Sequence, residues 1–259
     1  MTSATMNVPA VQNLTVGDLI EVLGAGVRDF VAAPQYGLFF GGIYAIAGWV
    51  IIAFLFYYKL LYLAYPLAMG FALIAPFAAV GFYAVSRALE KGEKLSWSGV
   101  LGAVGGTTKS DLRWMALVTS FAFFLWMDIA AILFLSIMGF DALGPQFFEL
   151  VFTTSTGWLF LLVGNAVGAV IAFMVFSICV VSFPMLLDRD VDFATAMVTS
   201  VKVVKANPAT MFVWLIIIGL LTGLSLLSGF IGLFVMLPVV GHATWHLYRR
   251  AVAHETAEL

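Results

Sequence analysis

The sequence predicts an all-α, polytopic membrane protein with six transmembrane helices arranged as three hairpins, each preceded by an amphipathic helix at the cytoplasmic interface. Three observations lead there. Of the 259 residues, 63% are hydrophobic and only 10% charged, whereas soluble domains run near ~45–50% apolar and ~25% charged. Six apolar runs reach or approach the roughly 20 residues that a helix needs to cross the hydrocarbon core. Eleven of the twelve basic residues lie on the same side of those runs. Lipid offers no partner to a backbone amide, and barrel strands alternate polar with apolar residues, so unbroken apolar runs have to be helices.

Taken in order, residues 1–13 read as a flexible N-terminal tail; "MTSATMNVPAVQNLTVGDL" is polar and lacks the apolar core of a cleaved signal. Residues 14–250 form one membrane domain, and 251–259 a polar C-terminal tail. The spans cover about 36–58, 61–86, 114–139, 156–187, 209–227 and 230–248. "YYK" joins the first two and "LSGF" the last two, so each of these pairs is a tight hairpin. Arg28, Arg87, Lys91, Lys94, Lys109, Arg113, Arg189, Lys202, Lys205, Arg249 and Arg250 fall on one side and only Lys59 on the other. The positive-inside rule then places both termini in the cytoplasm.

A repeat underlies this order. "LTVGDLIEVLGAGVRDF", "LSWSGVLGAVGGTTKSD" and "VDFATAMVTSVKVVKAN" align on Arg28, Lys109 and Lys205. In the first, Val16, Leu19, Ile20, Leu23, Val27 and Phe30 recur at helical spacing, the pattern of a helix lying in the interface. Each segment is followed by two spans, giving units of about 14–90, 95–190 and 191–250. The second span of each unit carries a proline, Pro76, Pro184 or Pro238, which removes a backbone donor and kinks or hinges its helix. Gly37/Gly41, Gly164/Gly168 and Gly219/Gly223 have the spacing that lets helices approach closely, within the bundle or in a homo-oligomer.

Polar groups within the spans are the candidate functional residues. Asp128 sits near the middle of the third span, where an ionised carboxylate costs ~2.5–3.5 kcal/mol on insertion scales. It is expected to be held by Asn165, Trp126 or His242; a proton or ion relay and a contact with a partner subunit or lipid are the other roles open to it. His242 and His246 share one helix face. They are the weak candidates for cofactor ligands, because a haem takes ligands from two facing elements and metal sites need three or four. With Trp245, Tyr248, Arg249 and Arg250, His246 reads instead as an aromatic and basic anchor at the headgroups. In "DRDVD", Asp190 or Asp192 is expected to cap the helix that follows. Cys179 has no second cysteine to pair with. The sequence contains no phosphate-binding loop, zinc-protease motif or nucleophile elbow. Catalytic residues, metal sites and cofactors are therefore none in this reading, and a net charge of −2 gives no reason to expect nucleic acid.

"GFYAVSRALEKGE", "FPMLLDRDVDFATAMVTSVKVVKANP" and "LPVVGHATWHLYRR" resemble a bacterial family of predicted integral membrane proteins, a domain of unknown function, some of whose members are labelled cytochrome c oxidase subunit I-like. The oxidase label implies a six-histidine haem and metal set, which a chain with two membrane histidines on one helix does not carry. What the resemblance implies is a protein that accompanies respiratory or photosynthetic complexes. The function expected is thus a non-catalytic accessory, assembly or scaffolding protein of the bacterial inner membrane, surrounded by lipid and beside a larger complex. The alternatives are a small transporter or lipid-handling protein using Asp128, Asn165 and His242, and a haem-binding electron carrier.

Overall fold

The structure is a computed structural model that describes residues 9–105, 110–144 and 146–253, without the side chains of 65, 69–78 and 110. Lys109, His254 and the side chain of Pro76 lie outside the described residues. The order of elements is α1 (Val16–Ala32), α2 (Pro34–Tyr57), a 3-10 turn (Leu61–Leu63), α3 (Ala64–Glu90), α4 (Trp97–Gly105) and α5 (Ser110–Ile137). A second 3-10 turn (Phe140–Ala142) leads to α6 (Phe147–Thr153), α7 (Ser155–Cys179), α8 (Ser182–Asp188), α9 (Phe193–Ala206), α10 (Pro208–Leu227) and α11 (Leu233–Ala251).

Each of the three segments expected at the interface carries a helix among its described residues, α1, α4 and α9. Their ends follow from local chemistry. Thr15 and Asp18 form a reciprocal capping box at the start of α1, and Asp192 accepts the Thr195 amide at 2.9 Å at the start of α9. The expected cap in "DRDVD" is therefore Asp192, while Asp188 binds Tyr248. The expected fourth span breaks after Cys179 and resumes as α8. Pro184 explains the break: it has no amide to continue the ladder, and its ring excludes the carbonyl of Val180 from an α-helical position. The Val181 amide turns instead to Ser200 Oγ at 3.2 Å.

Four helical stretches are long and apolar enough to cross a membrane among the described residues: Pro34–Tyr57, Asp111–Ile137, Ser155–Asp188 and Pro208–Leu227. α11 is not among them, because His242, Thr244, Trp245, His246 and Tyr248 make it more polar than a lipid-facing span. α6 was not expected from the sequence; it is an apolar helix of seven residues before α7.

The chain divides into two compact units. Unit 1 holds Met1–Ala45, Pro76–Ala116 and Phe176–Leu259, and unit 2 holds Ile46–Ala75 and Leu117–Val175. Eleven of the twelve basic residues belong to unit 1; Lys59 alone belongs to unit 2. In unit 1, α1 lies directly on α11. A Cβ at Gly26 would stand 2.5 Å from the Val239 carbonyl oxygen and 2.7 Å from the Ala243 amide nitrogen. Leu19 and Val22 are buried, whereas Val16, Ile20, Val27 and Val31 form an exposed apolar stripe. The single apolar face expected for α1 is therefore divided between protein and surroundings. Residues 10–12, expected in a flexible tail, are pinned: Gln12 donates to the Ala251 carbonyl at 2.9 Å and the Ala253 amide to Ala10 at 2.9 Å.

The glycine pairs also separate. Gly41 faces the Leu233 carbonyl, where a Cβ would come within 2.6 Å, while Gly219 and Gly223 have nothing within 4 Å. Gly26→Leu should accordingly destabilise the protein by about 3 kcal/mol or more, because backbone cannot move aside as a flexible side chain does. Gly219→Leu should leave stability within about 0.5 kcal/mol. Thermal unfolding of both variants in detergent checks the pair.

Candidate functional site: a buried polar junction

Four polar side chains from three helices meet in unit 1. Asp29 comes from α1, Ser86 from α3, and His242 and His246 from α11. Ser86 Oγ donates to Asp29 Oδ2 at 2.6 Å, and His246 Nε2 lies 2.8 Å from the same oxygen. Ser86 Oγ is also 2.8 Å from His242 Nδ1. Ser86 and His242 are fully buried.

The proton inventory settles the direction of this chain. Serine has one proton, and it goes to Asp29; His242 Nδ1 must then carry its own proton and donate to Ser86. Nδ1–H leaves Nε2 of His242 as a bare lone pair, and that atom is buried with no hydrogen-bond partner. A carboxylate can only accept, so His246 donates from Nε2. Both imidazoles are thus oriented by one carboxylate, His246 directly and His242 through a serine. Burial acts to raise the Asp29 carboxyl, but the hydrogen bonds from His246 and Ser86 outweigh it and hold the group below the ordinary carboxylate range.

Ion pairs continue outward from this junction. Trp245 Nε1 donates to Glu90 at 2.9 Å, and Arg249 Nε reaches Glu90 at 2.8 Å. Tyr248 OH donates to Asp188 at 2.8 Å and accepts from Arg189 Nε at 3.0 Å. Arg250 binds both Asp18 and Glu21. The Thr15 amide and hydroxyl, with Arg250, hold Asp18 below its ordinary range. This corrects the anchor reading of Trp245, His246, Tyr248, Arg249 and Arg250. Trp245 is 1% exposed and Tyr248 fully buried, and the arginines are matched by carboxylates of the same chain rather than left for headgroups. A helix-end pattern of Trp, Tyr and Arg fits a membrane belt and an internal junction equally well; the partners decide, and they lie 60 to 232 residues away.

Asp128 and Asn165 belong to unit 2, and His242 to unit 1. Asp128 is exposed on α5 and makes no hydrogen bond or ion pair with the described residues. Asn165 donates to the Leu161 carbonyl of its own helix at 2.7 Å, and Trp126 Nε1 to the Pro66 carbonyl at 2.9 Å. Neither Trp126 nor Asn165, the two expected partners that share unit 2 with the carboxylate, holds it. Sequence reading missed Asp29 and Ser86. The signal for Asp29 was its place beside Arg28 near the end of an amphipathic helix; Ser86, one uncharged residue in a span, gave none.

Two outcomes follow from the junction. Ser86→Ala should destabilise unit 1 by about 1–3 kcal/mol, because His242 Nδ1 and one Asp29 acceptor lose a buried partner together; denaturant unfolding in detergent measures it. A carboxyl whose folded-state pKa is depressed contributes stability above its unfolded value, near 3.9, and loses it as pH falls through the folded value. Unfolding midpoints should therefore decline below about pH 4, and Asp29→Asn should flatten that decline.

No curated protein and no solved structure matches the chain. Residues 64–188, from α3 through α8, match one protein family, described as "Predicted integral membrane protein (DUF2189)". Over that segment the chain is similar to this uncharacterised family of predicted integral membrane proteins.

Proposed function

We propose that the protein is a non-catalytic accessory or assembly protein of the bacterial inner membrane, which docks a transmembrane helix of a larger respiratory or photosynthetic complex. The carrying observation is the surface around Asp128. Phe121, Phe124, Leu125, Ile132 and Leu135 are all exposed. They stand at i−7, i−4, i−3, i+4 and i+7 from Asp128, so one outward stripe of α5 has the carboxylate at its centre. Intramembrane carboxylates almost always face a bundle interior or a partner. This one has no partner among the described residues of its own chain, and a docked helix with a hydrogen-bond donor or cation at matching depth supplies one. The same stripe fits neither a transport path, which needs several polar groups in line, nor a catalytic site.

The topology that goes with this reading has six spans, adding α3 and α11 to the four apolar stretches, with both termini in the cytoplasm. It is supported by the eleven-to-one distribution of basic residues. Single cysteines at Lys94 and Lys202 should react with a membrane-impermeant maleimide only after the cytoplasmic side is opened, and a cysteine at Lys59 should react from outside. Any reversal among the three defeats the topology.

For the docking surface, Asp128→Leu should leave thermal stability in detergent within about 0.5 kcal/mol, as expected for an exposed position without local partners. The same variant should lose co-purification with the larger complex from native membranes, and Asp128→Asn should retain part of it through its amide. A clear loss of stability in Asp128→Leu, or undiminished co-purification, would count against the proposal.

A further inference from the structure

Unit 2 contains a cavity of about 310 Å³, within the usual size range of small-molecule sites, roughly 300–1,000 Å³. Its wall comes from α5 (Ala131, Phe134), α6 (Phe147, Phe152) and α7 (Phe160, Gly164). Phe134 organises the wall, with ring centroids 5.8 Å from both Phe147 and Phe160. At Gly164 an added Cβ would meet nothing within 4 Å, so the space is open beside the helix backbone itself. Of the polar side chains of the wall, Tyr62, Trp126 and Asn165, the last two are already in use, and the wall exposes almost no polar surface. Trp126 Nε1 donates to the Pro66 carbonyl and Asn165 Nδ2 to the Leu161 carbonyl.

These facts restrict the occupant. Water needs two to four polar partners in a cavity, and this wall does not offer them. Left empty, the wall would forfeit dispersion contacts over its whole surface. A quinone headgroup would lose the hydrogen bonds that its carbonyls make in water, at a loss of affinity. A saturated chain needs no hydrogen bond, and the bilayer around an integral membrane protein supplies one. Residues 126 to 135 of α5 line the cavity, a rise of about 14 Å, so the site is elongated along the helix. We propose that this cavity binds one acyl chain of a membrane phospholipid. The wall shares Leu135 with the Asp128 stripe but does not include Asp128 itself.

The test uses the full chain reconstituted in nanodiscs of phosphatidylethanolamine and phosphatidylglycerol with a trace of phosphatidylethanolamine bearing a diazirine on its acyl chain. After illumination, adducts are mapped by peptide mass spectrometry. Adducts on the 130–134 and 160–164 segments should exceed those at Leu220 and Leu224, exposed residues of α10 that report ordinary surrounding lipid, by at least about fivefold. Ala131→Phe and Gly164→Leu, which fill the space from opposite walls, should each remove that excess without changing the α10 adducts. Both should also raise the unfolding temperature in delipidated detergent, because they supply the contacts the void lacks. Equal labelling of cavity and α10 overturns the proposal, as does an excess that survives both filling variants. Displacement of the cavity adducts by a short-tailed quinone would assign the site to quinones and overturn the acyl-chain assignment.

Discussion

Contact between α1 and α11 at Gly26 sets the positions of the other polar groups of unit 1. With no side chain at that point, the two backbones come close enough for short side chains to meet across the seam. Asp29 then lies against His246, and Arg250 lies over Glu21 and Asp18, about two and three turns earlier on α1. A wider separation would put Asp29 out of reach of His246 and leave a half-buried carboxylate without its donor, the situation in which burial would favour protonation. Ser86 extends the arrangement to α3, so a single carboxylate ties three helices together.

The two units treat polar groups differently. In unit 1, carboxylates and basic groups near the helix ends are matched internally: Glu90 with Arg249 and Trp245, Asp188 with Tyr248 and Arg249, Asp18 with Arg250. Partly exposed ion pairs of this kind each contribute little, about 0–1 kcal/mol, and most buried side-chain polar atoms around them are satisfied. His242 Nε2 and Trp214 Nε1 are the buried exceptions among the described side chains. Unit 2 carries few polar groups, and one of them, Asp128, points outward from an apolar stripe.

The helical class and the positions of α1, α2, α5, α9 and α10 were legible in the sequence, because span length and amphipathic period are local properties that the chain displays without its partners. The break before α8 was visible in part, through Pro184, although its position two residues upstream depended on Ser200 accepting the Val181 amide. α6 was hidden because a short apolar helix and an apolar loop have the same composition. The junction was half legible. His242 and His246 stood out, but their significance lies in Asp29 and Ser86, which are 217 and 156 residues from the histidines they touch. No period or spacing encodes a contact of that range. Trp126 and Asn165 do not hold Asp128 for the same reason: rarity in a span singles out a residue without saying which way it faces.

The seam between α1 and α11 also has a meaning in time. A ribosome delivers residue 18 long before residue 250, so α1 leaves the exit tunnel with its docking face uncovered and keeps it so while nearly the whole chain is made. Contacts of such sequence separation form late in folding. Until α11 arrives, the bilayer interface is the surface available to Leu19 and Val22 of α1, and Asp29 is left hydrated. Arrival of α11 therefore closes the seam with α1, and a chain truncated before Gly241 would leave α1 without a seat.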